Sequence, residues 1–244
     1  MPTSIRTAVI LAAGMGVRLK ELGQRLPKGF LRLGERPIVE ESLDRLRAAG
    51  IERTLIVTGH QRDFYEDLRL ARGGSVTTVH NPRFAESGSM YSLWHARELL
   101  AEDFLLLESD LVYEPRALSE LLAHPAPDVL LVSGPTGAGD EVWVEAEDGR
   151  LTDMSKDSRR LAGTIAGELV GITKVSRALF AEMLRVAERL FRETLKVDYE
   201  TDALVQAGRT QPIACHLVHD LVWAEIDDEQ HLERARTSVY PRLG

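Results

Sequence analysis

At 244 residues, 44% hydrophobic and 28% charged, the chain fits one globular domain with room for a sizeable core. A formal charge of −8 with no run of five basic residues excludes a nucleic-acid-binding surface, and a lone cysteine, Cys215, excludes a disulfide framework or a thiolate metal centre. No apolar stretch nears the ~18 residues of a membrane span, and the N-terminus lacks a signal-peptide pattern, so a cytoplasmic protein that engages no membrane is expected.

The first element sets the theme. Ala8-Val9-Ile10-Leu11 has the length and β-branched content of a buried strand. It runs into Ala12-Ala13-Gly14-Met15-Gly16, whose small side chains let backbone and ligand approach closely. Arg18 and the pair Pro27-Lys28 follow. A strand, a glycine turn and two cations suit a nucleoside triphosphate: backbone N–H groups cradle phosphate oxygens while Arg and Lys neutralise charge. A dinucleotide-binding turn needs a third glycine where Leu19 stands, and a P-loop needs a Gly-Lys-Ser/Thr that is absent.

Pro37 opens a helix carrying Ile38, Leu43, Leu46 and Ala49 at helical spacing, closed by Gly50. Thr54–Val57 is a strand, a polar helix runs to Arg72, and residues 75–79 form a third strand. This alternation predicts a parallel sheet with ligands beyond the strands' carboxyl ends. Asn81-Pro82 starts a polar loop that becomes a helix near Ser89. Such a loop is suited to reading a base through Asn81 and Ser92, although Ser92 also suits a helix cap. Residues 104–110 form an apolar strand ending in Asp110, a residue type that there either caps a helix or holds a metal.

Residues 129–132 form a strand, and 141–145 with 150–154 a hairpin about Glu147-Asp148-Gly149. Lys156 follows; it stands out because only five of the 30 basic residues are lysine. Residues 168–173 are a strand and 176–194 an amphipathic helix. Tyr199, Glu200 and Asp202 then either begin a helix, with acids favoured by its dipole, or line a pocket for a cationic acceptor. Residues 212–218 and 221–226 are the last strands, the second leading into Asp227 before a final helix.

The stretch LAAGMGVRL…LPKGFLRLGERPIVEESLDRL, Leu11 to Leu46, resembles the signature of the sugar-nucleotidyltransferase superfamily, LAAGxGxRL…PKxLxxxxxxPll. It departs only at Gly29-Phe30, where the superfamily more often has an apolar residue directly after the Lys. NPRF…MYSL, ESDLVYE, GDEVWVE and ELVGIT look like the branch of phosphocholine and 2-aminoethylphosphonate cytidylyltransferases, which often carries Asn where Gly88-Ser89 stand.

The resemblance implies an α/β, Rossmann-like fold over residues 1–244, with a mostly parallel central sheet flanked by helices and a small antiparallel hairpin extension. It implies Mg²⁺ held by Asp110 and Asp227, and nucleotide binding by Leu11, Ala12, Ala13, Gly14, Met15, Gly16, Asn81 and Ser92. Arg18 and Lys28 would act on the triphosphate and Lys156 on the acceptor's phosphoryl group. The expected activity is transfer of CMP from CTP to a small anionic acceptor. The acceptor choice stays open between Asp140, Glu141, Glu200 and Asp202 for a primary ammonium and Trp94, Trp143 and Tyr199 for a trimethylammonium. A sugar- or inositol-phosphate nucleotidyltransferase and a non-catalytic nucleotide-binding regulator are the alternatives, and a homodimer is left open.

Overall fold

A computed structural model describes residues 5–243. Its strands are β1 (Thr7–Ala12), β2 (Arg53–Thr58), β3 (Val76–His80), β4 (Phe104–Glu108), β5 (Leu111–Tyr113), β6 (Val129–Ser133), β7 (Trp143–Glu147), β8 (Arg150–Ser155), β9 (Ile165–Val175), β10 (Ala214–Val218) and β11 (Trp223–Glu225). Its helices are α1 (Lys20–Arg25), α2 (Ile38–Ala48), α3 (Arg62–Arg72), α4 (Ser89–His95), α5 (Arg116–Ala123), α6 (Arg177–Leu190), α7 (Val205–Gly208) and α8 (Glu229–Arg234).

Nine strands form one sheet in the order β3-β2-β1-β4-β9-β6-β10-β8-β7, and β7 also pairs with β9. The α/β class and the hairpin agree with the sequence reading; the mostly parallel sheet does not. β3, β2, β1 and β4 are parallel, but β9 runs antiparallel to both β4 and β6, so the sheet is mixed. The reason lies between β6 and β9. Parallel neighbours need a crossover, usually a helix, and this stretch carries only the β7–β8 hairpin and one short 3₁₀ turn. The chain therefore returns reversed. Asp148 and Gly149 both adopt positive φ at the hairpin tip, the twist that a two-residue Asp-Gly turn supplies.

Alternation along β1 divides the core. Ala8, Ile10 and Ala12 join the apolar side chains of α2, α3 and α5 on one face, while Val9 and Leu11 join those of α4 and α6 on the other. A third cluster packs α8 and Ile226 against Leu19, Leu31 and Ile38. It ties the carboxy-terminal region to the glycine turn.

A two-stranded ribbon completes the framework. β5 pairs with β11 antiparallel, Glu225 lies opposite Leu111, and the Ile226 N–H donates to the Asp110 carbonyl at 3.2 Å. This pairing sets Asp110 beside Asp227. Among the described residues no helix is long and apolar enough to cross a membrane.

Candidate active site

The end of β1 and the turn after it line a cavity of about 160 Å³ with Leu11, Ala12, Ala13, Gly14, Lys28 and Ser92. Met15 and Gly16 continue the turn to its solvent-facing edge. The turn's shape depends on Gly23 of α1, where a Cβ would lie 2.2 Å from the Gly16 carbonyl oxygen. Only glycine fits there, and a glycine inside a short helix was the one sequence signal for it. Asn81 lies behind this cavity rather than in its wall. Fully buried, it donates to Ser87 Oγ and Ser92 Oγ, each at 3.0 Å, and accepts from the Arg83 N–H at 2.9 Å. It thereby fixes the loop that presents Ser92.

Lys28 sits where the two strand-end acids meet. Its ammonium donates to Asp110 Oδ2 at 2.7 Å and to Asp227 Oδ1. Burial opposes its charge, but the Asp110 and Asp227 carboxylates outweigh burial and hold the ammonium protonated well beyond its usual range. Asp227 responds in kind: burial pushes its pKa up, and Lys28 more than reverses that, leaving it lowered. The second Asp227 oxygen faces Arg18, with Nη2 at 2.5 Å, and Arg18 Nη1 reaches Asp140 at 3.5 Å. Arg18 remains 54% exposed, in contrast to 17% for Lys28 and 6% for Asp110.

A second cavity of about 90 Å³ opens on the other side of these acids. Lys156, Arg18 and Arg234 line it together with Glu108, Glu200 and Glu225. Burial and then the charges of Glu200 and Asp110 raise the pKa of Glu108 well above the carboxylate range, burial and then Asp110 and Glu108 do the same for Glu225, and burial followed by the Asp198 charge pushes Glu200 up to about 7. Glu200 is placed by a π-helical turn, Tyr199–Leu204, whose wider winding differs from the ordinary helix the sequence suggests. Glu108 belongs to both cavities.

Two of the expected acceptor contacts are absent from both linings. Tyr199 is fully buried, with its hydroxyl set against Glu108, which lines both cavities. One Asp202 oxygen accepts the Asp198 N–H at 2.9 Å, at the start of the π turn. Trp94 stacks on Tyr91 with Arg97 over its ring, outside both linings. Glu108, Glu225 and Arg234 were not singled out by sequence reasoning. The alternation E-S-D and E-I-D at two strand ends was the available signal for the two glutamates, and Arg234 had none. A larger hollow of about 1180 Å³ lies between α2, α5 and residues 240–243, and none of the residues of the two cavities lines it.

The metal question turns on the donor set. Asp110 and Asp227 are nearly buried carboxylates that meet at a cation, and Glu108, Asp110 and Glu225 bring oxygens within 4.8 Å of one another. All-oxygen donors at this density of negative charge suit a hard divalent ion such as Mg²⁺. The residues fit such an ion.

A glycine turn at a parallel strand end, paired cations and two ribbon-aligned acids surround one cleft. The chain belongs to the family of MobA-like NTP transferase domains, whose model matches residues 8–195. It is 34% identical over 236 residues to the CMP-5'-(3-aminopropyl)phosphonate synthase of Streptomyces rubellomurinus, covering 91% of this chain but 37% of that protein. It is 25% identical to the 2-aminoethylphosphonate cytidylyltransferase of Lancefieldella rimae, covering 77% of this chain and 74% of that one. Its fold matches the inositol-1-phosphate CTP transferase from T. maritima with a TM-score of 0.78 at 19% identity, over 97% of this chain and 98% of the other. The chain thus spans little more than a third of the synthase.

Proposed function

We propose that the chain transfers CMP from CTP to a small acceptor bearing a phosphonate or phosphate at one end and a primary ammonium at the other, releasing pyrophosphate. One observation carries the acceptor choice: the second cavity sets the cations Lys156, Arg18 and Arg234 beside the acids Glu108, Glu200 and Glu225, whose burial favours the neutral form until a bound ammonium draws out their charge, a pattern that suits a zwitterion. A trimethylammonium favours a cage of aromatic faces. Here Trp223 is the single aromatic in the lining, and its indole N–H is engaged by Ser133 Oγ at 2.9 Å. The names of the two phosphonate-handling relatives point the same way.

The chemistry is in-line attack of an acceptor oxygen on the α-phosphorus, with the P–O bond to pyrophosphate breaking. A phosphate acceptor is already largely ionised near neutrality, its second pKa being about 6, so no general base is needed. The protein's work is placement and charge neutralisation. The glycine turn's N–H groups and Arg18 hold the triphosphate, Lys28 faces the charge developing during transfer, and Lys156 holds the acceptor's anionic end. A divalent ion on Asp110 and Asp227 supplies further neutralisation of the phosphates when bound.

The test is a screen of CTP, UTP, dTTP and ATP against 3-aminopropylphosphonate, 2-aminoethylphosphonate, phosphocholine, inositol 1-phosphate and glucose 1-phosphate. Pyrophosphate release with CTP and the aminoalkylphosphonates is the expected result. Turnover confined to a sugar or inositol phosphate would overturn the acceptor assignment.

A further inference from the structure

Residues 134–142 roof the second cavity, with Thr136, Ala138, Asp140, Glu141 and Val142 in its lining. Both ends of this segment are anchored to backbone: Gly134 N–H donates to the His219 carbonyl at 3.2 Å, and Leu169 N–H to the Val142 carbonyl at 2.9 Å. Thr136 is anchored too, its N–H and hydroxyl both donating to the buried Glu168 carboxylate at 2.7 and 3.0 Å. Between these anchors the chain contains Gly137 and Gly139, both at positive φ and both with open space where a side chain would stand. Such a stretch is built to turn.

Side chains from the glycine turn and from α8 hold it down, and Arg234 Nη2 also donates to the Thr136 carbonyl at 3.3 Å. Arg18 Nη1 lies 3.5 Å from Asp140 Oδ2, His231 Nε2 lies 3.5 Å from Asp140 Oδ1, and the same nitrogen is 3.2 Å from the Ala138 carbonyl. The space beneath is small. At about 90 Å³ it is the smaller of the two cavities that flank the strand-end acids, the other being about 160 Å³.

We propose that Asp140 is a latch: by holding Arg18 it keeps residues 137–141 folded over the acceptor cavity, and a bound triphosphate opens the roof by taking Arg18 away. The inference rests on the nucleotidyltransferase reading of the glycine turn. Arg18 is 54% exposed and so free to change partners, and a triphosphate offers several negative charges against the single charges of Asp140 and of Asp227, its nearer partner at 2.5 Å. Nucleotide therefore binds first, and the acceptor enters a cavity opened by it. A ligand whose competent state is rarely populated loses apparent affinity by that fraction.

The test uses α,β-methylene-CTP, which binds without transfer, with the whole chain as wild type and as Asp140→Asn. In the wild type, amide exchange at residues 137–141 rises when the analogue is added, and 3-aminopropylphosphonate binds about tenfold tighter or more in its presence. In Asp140→Asn the segment exchanges fast without nucleotide, and most of that tenfold dependence is gone. Exchange in β1 and β4 serves as the control that the variant is folded. Unchanged or slowed exchange at 137–141 in wild type that binds the analogue would sink the latch and leave the cytidylyltransferase reading standing. Retention of full nucleotide dependence by Asp140→Asn would do the same. Failure of the wild type to bind the analogue would instead overturn the nucleotide reading, and the latch with it.

Discussion

The Lys28 ammonium and the Asp227 carboxylate, drawn from opposite ends of the chain, form a nearly buried ion pair at the junction of the two cavities. The same ammonium donates to Asp110 at 2.7 Å, so one cation compensates two acids. Removing one partner of a buried pair is far costlier than the pair's net worth, because the other charge is left stranded.

Lys28→Met is therefore expected to destabilise the protein by about 3–5 kcal/mol in EDTA. Added Mg²⁺ replaces the missing positive charge and restores part of the melting temperature, while turnover stays at least about 100-fold down for loss of a transition-state contact. Thermal melts with and without Mg²⁺ check both halves. A variant that melts like the wild type in EDTA would show that Lys28 is not the compensating charge.

Glu200 gives a pH dependence with a definite sign. Its pKa in the folded protein is raised from the usual carboxylate value to about 7. Folding then favours the protonated form, so its stabilising contribution is complete below the unfolded carboxylate pKa and is lost as pH rises through about 7. Ligand-free melting temperature should fall across that window. In Glu200→Gln the fall is shallower, the remaining slope coming from Glu108 and Glu225, whose shifts have the same direction. Identical slopes in both proteins would remove Glu200 from the account.

How much of this was legible in the sequence depends on the range of the interactions. β1, the glycine turn and the strand-end positions of Asp110 and Asp227 follow from local apolar runs and the residues that stop them, and those signals are short-range. The reversal of β9 was not legible, because strand direction depends on which connection carries a helix and on partners far away in the chain. The acid cluster was half visible. Glu200 was singled out from its own segment, but Glu108 and Glu225 acquire meaning only when the β5–β11 ribbon brings two strand ends together. Tyr199 and Asp202 stand next to Glu200 in sequence but outside both linings, since adjacency in sequence says nothing about which side of a π turn faces the cavity.

Asn81 is a positioning residue whose loss should separate binding from chemistry. In Asn81→Ala the buried Ser92 hydroxyl and the Arg83 N–H lose this partner, at about 1–3 kcal/mol for each group left unsatisfied, while the half-buried Ser87 hydroxyl keeps the Arg83 carbonyl. Stability drops and KM for CTP rises, while kcat at saturating nucleotide changes little because the cation and carboxylate groups are untouched. Ser92→Ala should raise KM for CTP with a much smaller effect on the melting temperature. A loss confined to kcat in either variant would argue against a role in nucleotide binding.

The acceptor's amine supplies the sharpest test of the second cavity. Carboxylates recognise a primary ammonium through N–H donors, and trimethylation removes every donor while adding bulk against Glu108, Glu200 and Glu225. The N,N,N-trimethyl analogue of an aminoalkylphosphonate should therefore be used about tenfold or more less efficiently than the primary amine, a difference of about 1.4 kcal/mol or more in kcat/KM. Glu225→Gln should shrink that preference by weakening the primary amine more than the trimethyl analogue. The comparison is internal to each protein, so a general loss of activity from disturbing the neighbouring Asp227 cancels from the ratio. An unchanged ratio in Glu225→Gln would remove Glu225 from amine recognition, and a preference for the trimethyl compound in the wild type would place the ammonium against Trp223 instead.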